Sequence, residues 1–290
     1  MKKRLIDKTT FSLVNYIIGP TLGMLICLLE AFGRIKILWF DRFPIFQGKL
    51  IIVSNHPSLL EPWVIPLIGF PWMNFPWLFS PLWFKIRLSV SWFRELQKEF
   101  SLPRKLIPVN VPDKDNFYAP PHLRLFRAIN VPVDRKGGMQ SRTSTVLGIK
   151  RVLENGGRVL IFPEGTRTFK AVDKSKISSA KGKKLGKLKD GAGWLALKTG
   201  AKILPIWVDG TDKVLPNNKW PFPRVWHQIT IKIGNVFSVH EYTRQEATTR
   251  ITQSLLELAD EEVSVKLPAT STTRDKTTGL VPDWWIGSLP

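Results

Sequence analysis

The chain of 290 residues contains a single cysteine, Cys27, and only four histidines. One cysteine excludes an intramolecular disulfide bond and a zinc site built from cysteines. Because Cys27 lies within an apolar stretch, we expect a buried and inert thiol. Acidic side chains are also scarce, 23 against 43 lysines and arginines, which leaves a net charge of +20. That imbalance predicts an anionic partner: nucleic acid, a phosphorylated substrate or an anionic membrane surface.

The aromatic residues favour a membrane among these partners. The chain has twelve tryptophans, several of them beside phenylalanine and basic residues, and this mixture is typical of the membrane interface. A nucleic-acid-binding protein would carry interleaved basic and aromatic residues without a long apolar segment. We therefore expect an anionic membrane surface as a partner and no nucleic acid. A soluble nucleic-acid binder remains the least favoured alternative.

Residues 1–40 are predicted to form a membrane-anchoring helical segment. The stretch from Thr9 to Leu29 has no charge and is long enough to cross a bilayer. No small-x-small cleavage site follows it, which argues against a signal peptide. Gly19-Pro20 would kink a helix there, so we expect a bent or re-entrant pair of helices that returns to the cytoplasmic leaflet. A buried hairpin in a soluble protein is the alternative.

The remainder of the chain alternates between strand and helix patterns, which predicts an α/β fold. We expect a single domain over residues 41–263, with a central mixed, largely parallel sheet flanked by helices. The predicted strands lie in residues 49–56, 128–135, 158–167, 201–210 and 227–237. The predicted helices lie in residues 62–69, 141–155, 190–200 and 243–263, the last opened by a capping box of Thr243 and Glu246.

Three further segments depart from this alternation. Residues 70–100 are rich in aromatics and proline and are predicted to lie on the membrane as an interfacial insert, or over the core as a lid. Residues 168–188 are lysine-rich and lack apolar periodicity, which predicts a mobile loop. Residues 264–290 are predicted to be a flexible tail whose tryptophans contact membrane. We expect a membrane-associated protein with its catalytic domain on the cytoplasmic, or stromal-like, face.

The turn "SNHPSLLEPW", residues 54–63, holds a candidate catalytic pair, His56 and Glu61. Positions five apart on a continuous helix point about 140° away from each other. Pro57 and Pro62 interrupt that helix, so a tight turn can bring the two side chains together. A carboxylate that holds one ring nitrogen lets the other act as a general base. By itself the pattern is weak, and an ordinary strand-to-helix turn is the alternative.

Two arginines follow other predicted strand ends, where ligands bind in α/β sheets. Arg135 ends "NVPVDR", and Arg167 ends "FPEGTR". Arginine forks suit phosphate groups, and Gly165 would let the backbone approach a phosphate closely. Each arginine alone would more often be a solvated surface charge. Three strand ends together offer a base, an arginine and a Glu-Gly-Thr-Arg loop.

The segments "NHPSLLEPW", "NVPVDR", "FPEGTRT" and "ILPIWVDG", in this order, resemble the four blocks of the glycerolipid acyltransferases, the family of lysophosphatidic acid acyltransferases. The resemblance implies transfer of a fatty acyl group from acyl-CoA or acyl-carrier protein to a lysophospholipid hydroxyl, with no metal or redox cofactor. It assigns His56 as general base and Glu61 as its carboxylate partner. Acceptor binding is implied for the following residues: Arg135, Glu164, Gly165, Thr166 and Arg167.

One departure concerns Glu61, because the family usually has aspartate there. Both residues supply a carboxylate, so we expect an active pair after a small adjustment of the turn. The alternatives left open are an acyltransferase for another lysolipid and a catalytically degenerate membrane-binding member of the family.

Overall fold

The computed structural model describes residues 19–44, 47–68, 108–114, 130–134, 136, 138–170, 175–216, 224 and 226–262. Several predictions fall outside these residues. They concern residues 1–18, the aromatic-rich segment 70–100, Arg135 and the tail 264–290.

The described residues form six α-helices and eight β-strands, with short 3-10 turns between them. The helices are α1 (Gly19–Ala31), α2 (Glu61–Val64), α3 (Met139–Glu154), α4 (Gly191–Thr199), α5 (Thr211–Val214) and α6 (Arg244–Asp260). The strands are β1 (Ile35–Leu38), β2 (Leu50–Ser54), β3 (Val109–Asn110), β4 (Arg158–Ile161), β5 (Ile177–Ser178), β6 (Lys184–Leu185), β7 (Lys202–Asp209) and β8 (Ile229–Ile233).

Six of these strands form one sheet in the order β1-β8-β7-β2-β4-β3. Neighbouring strands are parallel except for β7 and β8, which are antiparallel. The carboxyl ends of β2, β4 and β7 therefore meet at one edge, and the amino ends of β8 and β1 lie at that same edge. The predicted α/β fold with a central mixed, largely parallel sheet is confirmed.

Both faces of the sheet are covered, which explains why β2 is apolar without alternation. Ile51 and Val53 pack into one core cluster with residues of α3, α4 and α6. Leu50 and Ile52 point to the opposite cluster, which includes Ile26 of α1. All four strand residues are fully buried. Strand β8, which lies between β1 and β7, alternates between buried and half-buried residues instead.

Several local predictions match the observed elements. The capping box is formed, because Glu246 N donates to Thr243 Oγ1 at 3.3 Å while Glu246 Oε2 accepts from Thr243 N at 2.7 Å. Helix α3 ends at Glu154, two residues before Gly156, which has a φ of 75°. Glycine adopts this left-handed conformation without strain.

Other elements differ from the predictions. The segment predicted as a strand at 128–135 forms, in its described part, a single bridge between Val133 and Asp113. Val133 N donates to Pro112 O at 2.8 Å, so this segment runs beside the chain that follows β3. Within the lysine-rich stretch 168–188, the structure places a 3-10 turn and the antiparallel hairpin of β5 and β6, which buries Leu185.

Helix α1 covers the apolar cluster beneath β1 and β8 through Ile26. It has 13 residues. Among the residues described, none of the helices combines the length and apolar character needed to cross a membrane.

Candidate active site

The candidate site lies where the two central strands β2 and β4 end side by side. Val53 of β2 pairs with Ile161 of β4 in parallel register. His56 and Glu164 each follow three residues later in their own chain segments. Because parallel strands end at a common edge, the "SNHPSLLEPW" turn and the "FPEGTR" turn meet there.

His56 and Glu61 are in direct contact across the turn after β2. His56 Nδ1 lies 2.8 Å from Glu61 Oε2. Glu61 stands at the start of α2, with Pro62 next to it, so the chain changes direction between the two side chains. The carboxylate is fully buried, whereas 15% of the imidazole is exposed. A carboxylate can only accept, so Nδ1 donates its hydrogen and Nε2 is the basic ring nitrogen.

Ser58 holds the carboxylate of Glu61 in place. Its backbone amide donates to Glu61 Oε1 at 3.0 Å and to Oε2 at 3.2 Å, and its hydroxyl donates to Oε1 at 3.0 Å. The same hydroxyl oxygen accepts from Leu60 N at 3.1 Å. A buried carboxylate is tolerated when several donors satisfy it. These donors and the His56 ring together satisfy Glu61.

Phe162 fixes the plane of the His56 ring. The two rings stack with centroids 4.3 Å apart and an interplanar angle of 23°. Phe162 directly follows β4 in the chain. The sheet therefore positions the Phe162 ring against His56 in the neighbouring turn. The imidazole is therefore held by a carboxylate at Nδ1 and by an aromatic face.

The buried side chain of Glu164 joins three chain segments rather than projecting into an open site. Its Oε1 accepts from His56 N at 3.0 Å and from Thr168 Oγ1 at 2.8 Å. Its Oε2 accepts from Gly186 N at 2.8 Å, next to the β5–β6 hairpin. Burial raises the pKa of Glu164, and these hydrogen bonds oppose part of that rise. Thr168 N also donates to His56 O at 2.8 Å, which closes the connection between the turns.

Asn55 joins the same turn to β7 on the other side of β2. Its Nδ2 donates to Val208 O, and its Oδ1 accepts from Val208 N, each at 2.8 Å. The buried Asn55 amide continues the pairing of β2 with β7 beyond Ser54. The turn with His56 is thereby fixed to both neighbouring strands.

The remaining predicted residues lie around the second turn. Gly165 has a φ of 68°, and its amide donates to Phe162 O at 2.9 Å. Thr166 and Arg167 are half-buried. The guanidinium of Arg167 lies 5.0 Å above the ring of Phe169. Arg135 is outside the described residues, so the structure does not place it relative to this turn.

The structure thus brings His56, Glu61 and Glu164 into one hydrogen-bonded group. Sequence reasoning missed Ser58 as the donor to Glu61, Phe162 as the stacking partner and Gly186 as the donor to Glu164. Phe162 had a signal in the sequence, because it directly precedes the proline of "FPEGTR". Within the described residues, no three histidine, cysteine, aspartate or glutamate side chains gather as metal ligands would.

Comparisons with known proteins agree on one family. A family profile described as "Acyltransferase" matches residues 40–209, which include both turns of the site. A stretch of 65 residues is 38% identical to the chloroplastic 1-acyl-sn-glycerol-3-phosphate acyltransferase LPAT1 of Arabidopsis thaliana. That stretch covers 22% of this chain and only 15% of the length of the plant protein.

A solved structure supports the fold. The 1-acyl-sn-glycerophosphate (LPA) acyltransferase PlsC from Thermotoga maritima is similar over 90% of this chain and 99% of its own, with a TM-score of 0.50 and 15% sequence identity. At this level of identity the similarity concerns the architecture of the chain.

Proposed function

The chain belongs to the acyltransferase family, and we propose that it transfers a fatty acyl group from a thioester donor to the free hydroxyl of a lysophospholipid. Lysophosphatidic acid is the proposed acceptor, with phosphatidic acid as the product. Acyl-CoA or acyl-carrier protein is the proposed donor. The observation that carries the proposal is the 2.8 Å contact between His56 Nδ1 and Glu61 Oε2 at the carboxyl end of β2.

The proposed chemistry needs one base and no covalent enzyme intermediate. His56 Nε2 takes the proton of the acceptor hydroxyl while the hydroxyl oxygen attacks the thioester carbonyl, and an O–C bond forms. The C–S bond then breaks, and the imidazolium returns the proton to the leaving thiolate. Glu61 stabilises the imidazolium and keeps Nε2 directed at the hydroxyl. Every group in this scheme comes from the protein or its two substrates, so the proposal includes no cofactor.

Phosphate binding is proposed for the second turn. Arg167 carries a fixed positive charge beside the loop that contacts His56, and Arg135 is proposed to join it. Glu164 has both oxygens engaged in hydrogen bonds to protein donors. Its proposed role is therefore to position the turn and the base, with Gly165, Thr166 and Arg167 nearer to the acceptor.

Association with an anionic membrane surface is supported by an exposed apolar strip on α1. Leu25, Leu28 and Phe32 are 48%, 53% and 75% exposed and recur at helical spacing. Trp226 is 63% exposed, and its carbonyl accepts from Arg34 Nη1 at 2.9 Å. Contiguous apolar surface beside basic residues is typical of a lipid-binding surface.

The apolar strip ends at the edge of the sheet that carries the candidate site. Ile35 of β1 pairs with Ile229 at the start of β8, and Thr230 pairs with Asp209 at the end of β7. Phe32 and Trp226 therefore lie at the edge where β2 and β7 end. This arrangement favours a site that takes its acceptor directly from the bilayer surface.

The test supplies the purified full chain with lysophosphatidic acid and acyl-CoA or acyl-carrier protein and follows phosphatidic acid. Wild-type protein should form product, and His56→Ala should lose at least about a hundredfold in kcat because the base is removed. Full activity in His56→Ala would exclude the proposed base. Product from another lysolipid alone would favour the alternative acceptor, and vesicle binding without any product would favour a degenerate protein.

A further inference from the structure

The side chain of Lys189 lies across Gly165 in the turn that follows β4. A β-carbon added to Gly165 would come 2.8 Å from Lys189 Nζ, 2.9 Å from Cε and 3.1 Å from Cδ. The backbone amide of Lys189 donates to Pro163 O at 2.8 Å, so the two chain segments run side by side. The ammonium group thus lies against the turn that also carries Arg167.

The carboxylate that neighbours Lys189 in the chain is paired with another residue. Asp190, its neighbour in the chain, pairs with Arg244 at 2.7 Å. Lys183, in the same basic stretch, pairs with Asp209 at 3.1 Å. In the part of the chain that the structure describes, no carboxylate forms an ion pair with Lys189. An exposed cation beside this turn, with no carboxylate partner among the described residues, is suited to an anionic ligand.

From this placement we infer that Lys189 is a phosphate-binding residue of the acyltransferase site, acting beside Arg167 on the phosphomonoester of the acceptor. The inference rests on the proposed function and adds a residue from outside the four sequence blocks. A lysine ammonium is a compact charge that binds phosphate as a point charge, next to the planar fork of an arginine. Arg167 belongs to this turn, and Lys189 reaches it from a later chain segment.

The position of Lys189 also gives Gly165 a second role. Its φ of 68° already favours glycine. A β-carbon there would in addition displace the end of the Lys189 side chain from this position. The absence of a side chain at residue 165 is what lets the lysine lie over the turn.

The experiment compares Lys189→Met with Lys187→Met and Lys189→Arg in the full chain. Methionine keeps an apolar chain over Gly165 and removes only the charge. Lys187 is an exposed lysine two positions earlier, so its variant loses the same net charge. KM for lysophosphatidic acid should rise about tenfold in Lys189→Met, with kcat changed by less than about twofold, because a binding contact is lost. Lys187→Met should stay close to wild type, and Lys189→Arg, which keeps the charge, should raise KM less than Lys189→Met does.

Two substrates carry phosphate groups, and separate titrations distinguish them. Lysophosphatidic acid is varied at saturating acyl-CoA, and acyl-CoA is then varied at saturating acceptor. A higher KM for acyl-CoA alone would assign Lys189 to the phosphates of the donor and overturn the inference. Equal KM values for lysophosphatidic acid in Lys189→Met and Lys187→Met would also overturn it, while leaving the proposed function intact. Wild-type protein that acylates no lysolipid would instead defeat the proposed function, and this inference with it.

Discussion

The backbone amide of His56 donates to Glu164 Oε1 at 3.0 Å, while the ring of His56 contacts Glu61 Oε2 at 2.8 Å. Two carboxylates from different turns therefore hold one histidine, one through its main chain and the other through its imidazole. Each carboxylate is satisfied by further donors, Ser58 for Glu61 and Gly186 for Glu164. The proposed base is therefore positioned from both sides by the protein itself.

Replacement of Glu61 tests whether the turn is built for glutamate. Aspartate shortens the side chain by about 1.5 Å, so its carboxylate cannot keep both His56 and Ser58. We expect kcat to fall about tenfold in Glu61→Asp, equivalent to ~1.4 kcal/mol of barrier. Glu61→Gln, which keeps the length but loses the carboxylate, should lose about 10²–10⁴-fold. Steady-state kinetics at saturating substrates measure both values.

A rise in activity for Glu61→Asp would have the opposite meaning. It would indicate that glutamate weakens the pair, as expected for a degenerate member of the family. Melting temperatures of the two variants, compared with wild type, separate a loss of chemistry from a loss of folding.

Glu164→Gln tests the buried carboxylate through the pH dependence of stability. Because burial raises the pKa of Glu164 in the folded protein, the folded state binds its proton more tightly than the unfolded state does. The stability of the wild type relative to Glu164→Gln should therefore decrease as pH rises. The decrease should begin near the ordinary glutamate pKa of 4.5 and continue through the raised pKa of the folded protein. Urea unfolding of both proteins across this range measures the difference.

Glu246→Gln provides a control with the opposite sign. The Thr243 amide lowers the pKa of Glu246 in the capping box, so the stability it contributes is present above its unfolded pKa and is lost as pH falls. Wild-type stability relative to Glu246→Gln should therefore increase with pH. If the stability of the wild type relative to each of the two variants changed with pH in the same direction, burial would not be the cause of the effect at Glu164.

Asn55→Leu tests the connection between the catalytic turn and β7. Leucine leaves the buried N–H and C=O of Val208 without the partners that Asn55 supplies. We expect a loss of about 2–4 kcal/mol in the free energy of unfolding. Asn155→Leu, the same exchange at the exposed end of α3, should change stability by less than about 0.5 kcal/mol. Comparable losses in both variants would contradict a specific role for the Asn55 amide.

Phe32→Asp tests the proposed lipid-binding surface at the end of α1. A phenylalanine side chain that becomes buried in the membrane contributes about 1.5–3 kcal/mol to the free energy of binding. The loss of Phe32 should therefore weaken binding to phosphatidylglycerol-containing vesicles about tenfold or more. Vesicle sedimentation measures the bound fraction. Leu147→Asp is the matched control, because Leu147 is 46% exposed on α3. Equal loss in both variants would indicate a nonspecific charge effect.

Elements with strong local signals were predictable from the sequence. The β-branched run of β2, the apolar stripe of α3 and the Thr243–Glu246 capping box each carry their own pattern. The proximity of the two turns of the candidate site was also predictable, because each turn follows a strand and parallel pairing brings the two strand ends together. The Asn55 pairing with Val208 joins residues 153 positions apart, and no local pattern indicates it.

The elements that were missed depend on distant partners. Strand β1 has four residues and is defined by its parallel pairing with β8, almost 200 residues later. Strand β3 has two residues and is defined by β4. The β5–β6 hairpin lies in a lysine-rich stretch and is held by contacts with α6, among them Ser179 Oγ donating to Asp260 Oδ1 at 2.6 Å. The lysine-rich composition predicts a loop here, because composition does not reveal that the Asp260 carboxylate accepts a hydrogen bond from this segment.

Strands β2 and β4 are direct neighbours in the sheet, and this determines when the candidate catalytic group forms. His56, Glu61 and Glu164 reach their positions as the centre of the sheet pairs, so no domain closure is needed to assemble them. In the proposed reaction, the base is therefore oriented once, during folding, and not again in each turnover. Small shifts between these two strands should therefore lower the rate of turnover at temperatures well below that at which the protein unfolds.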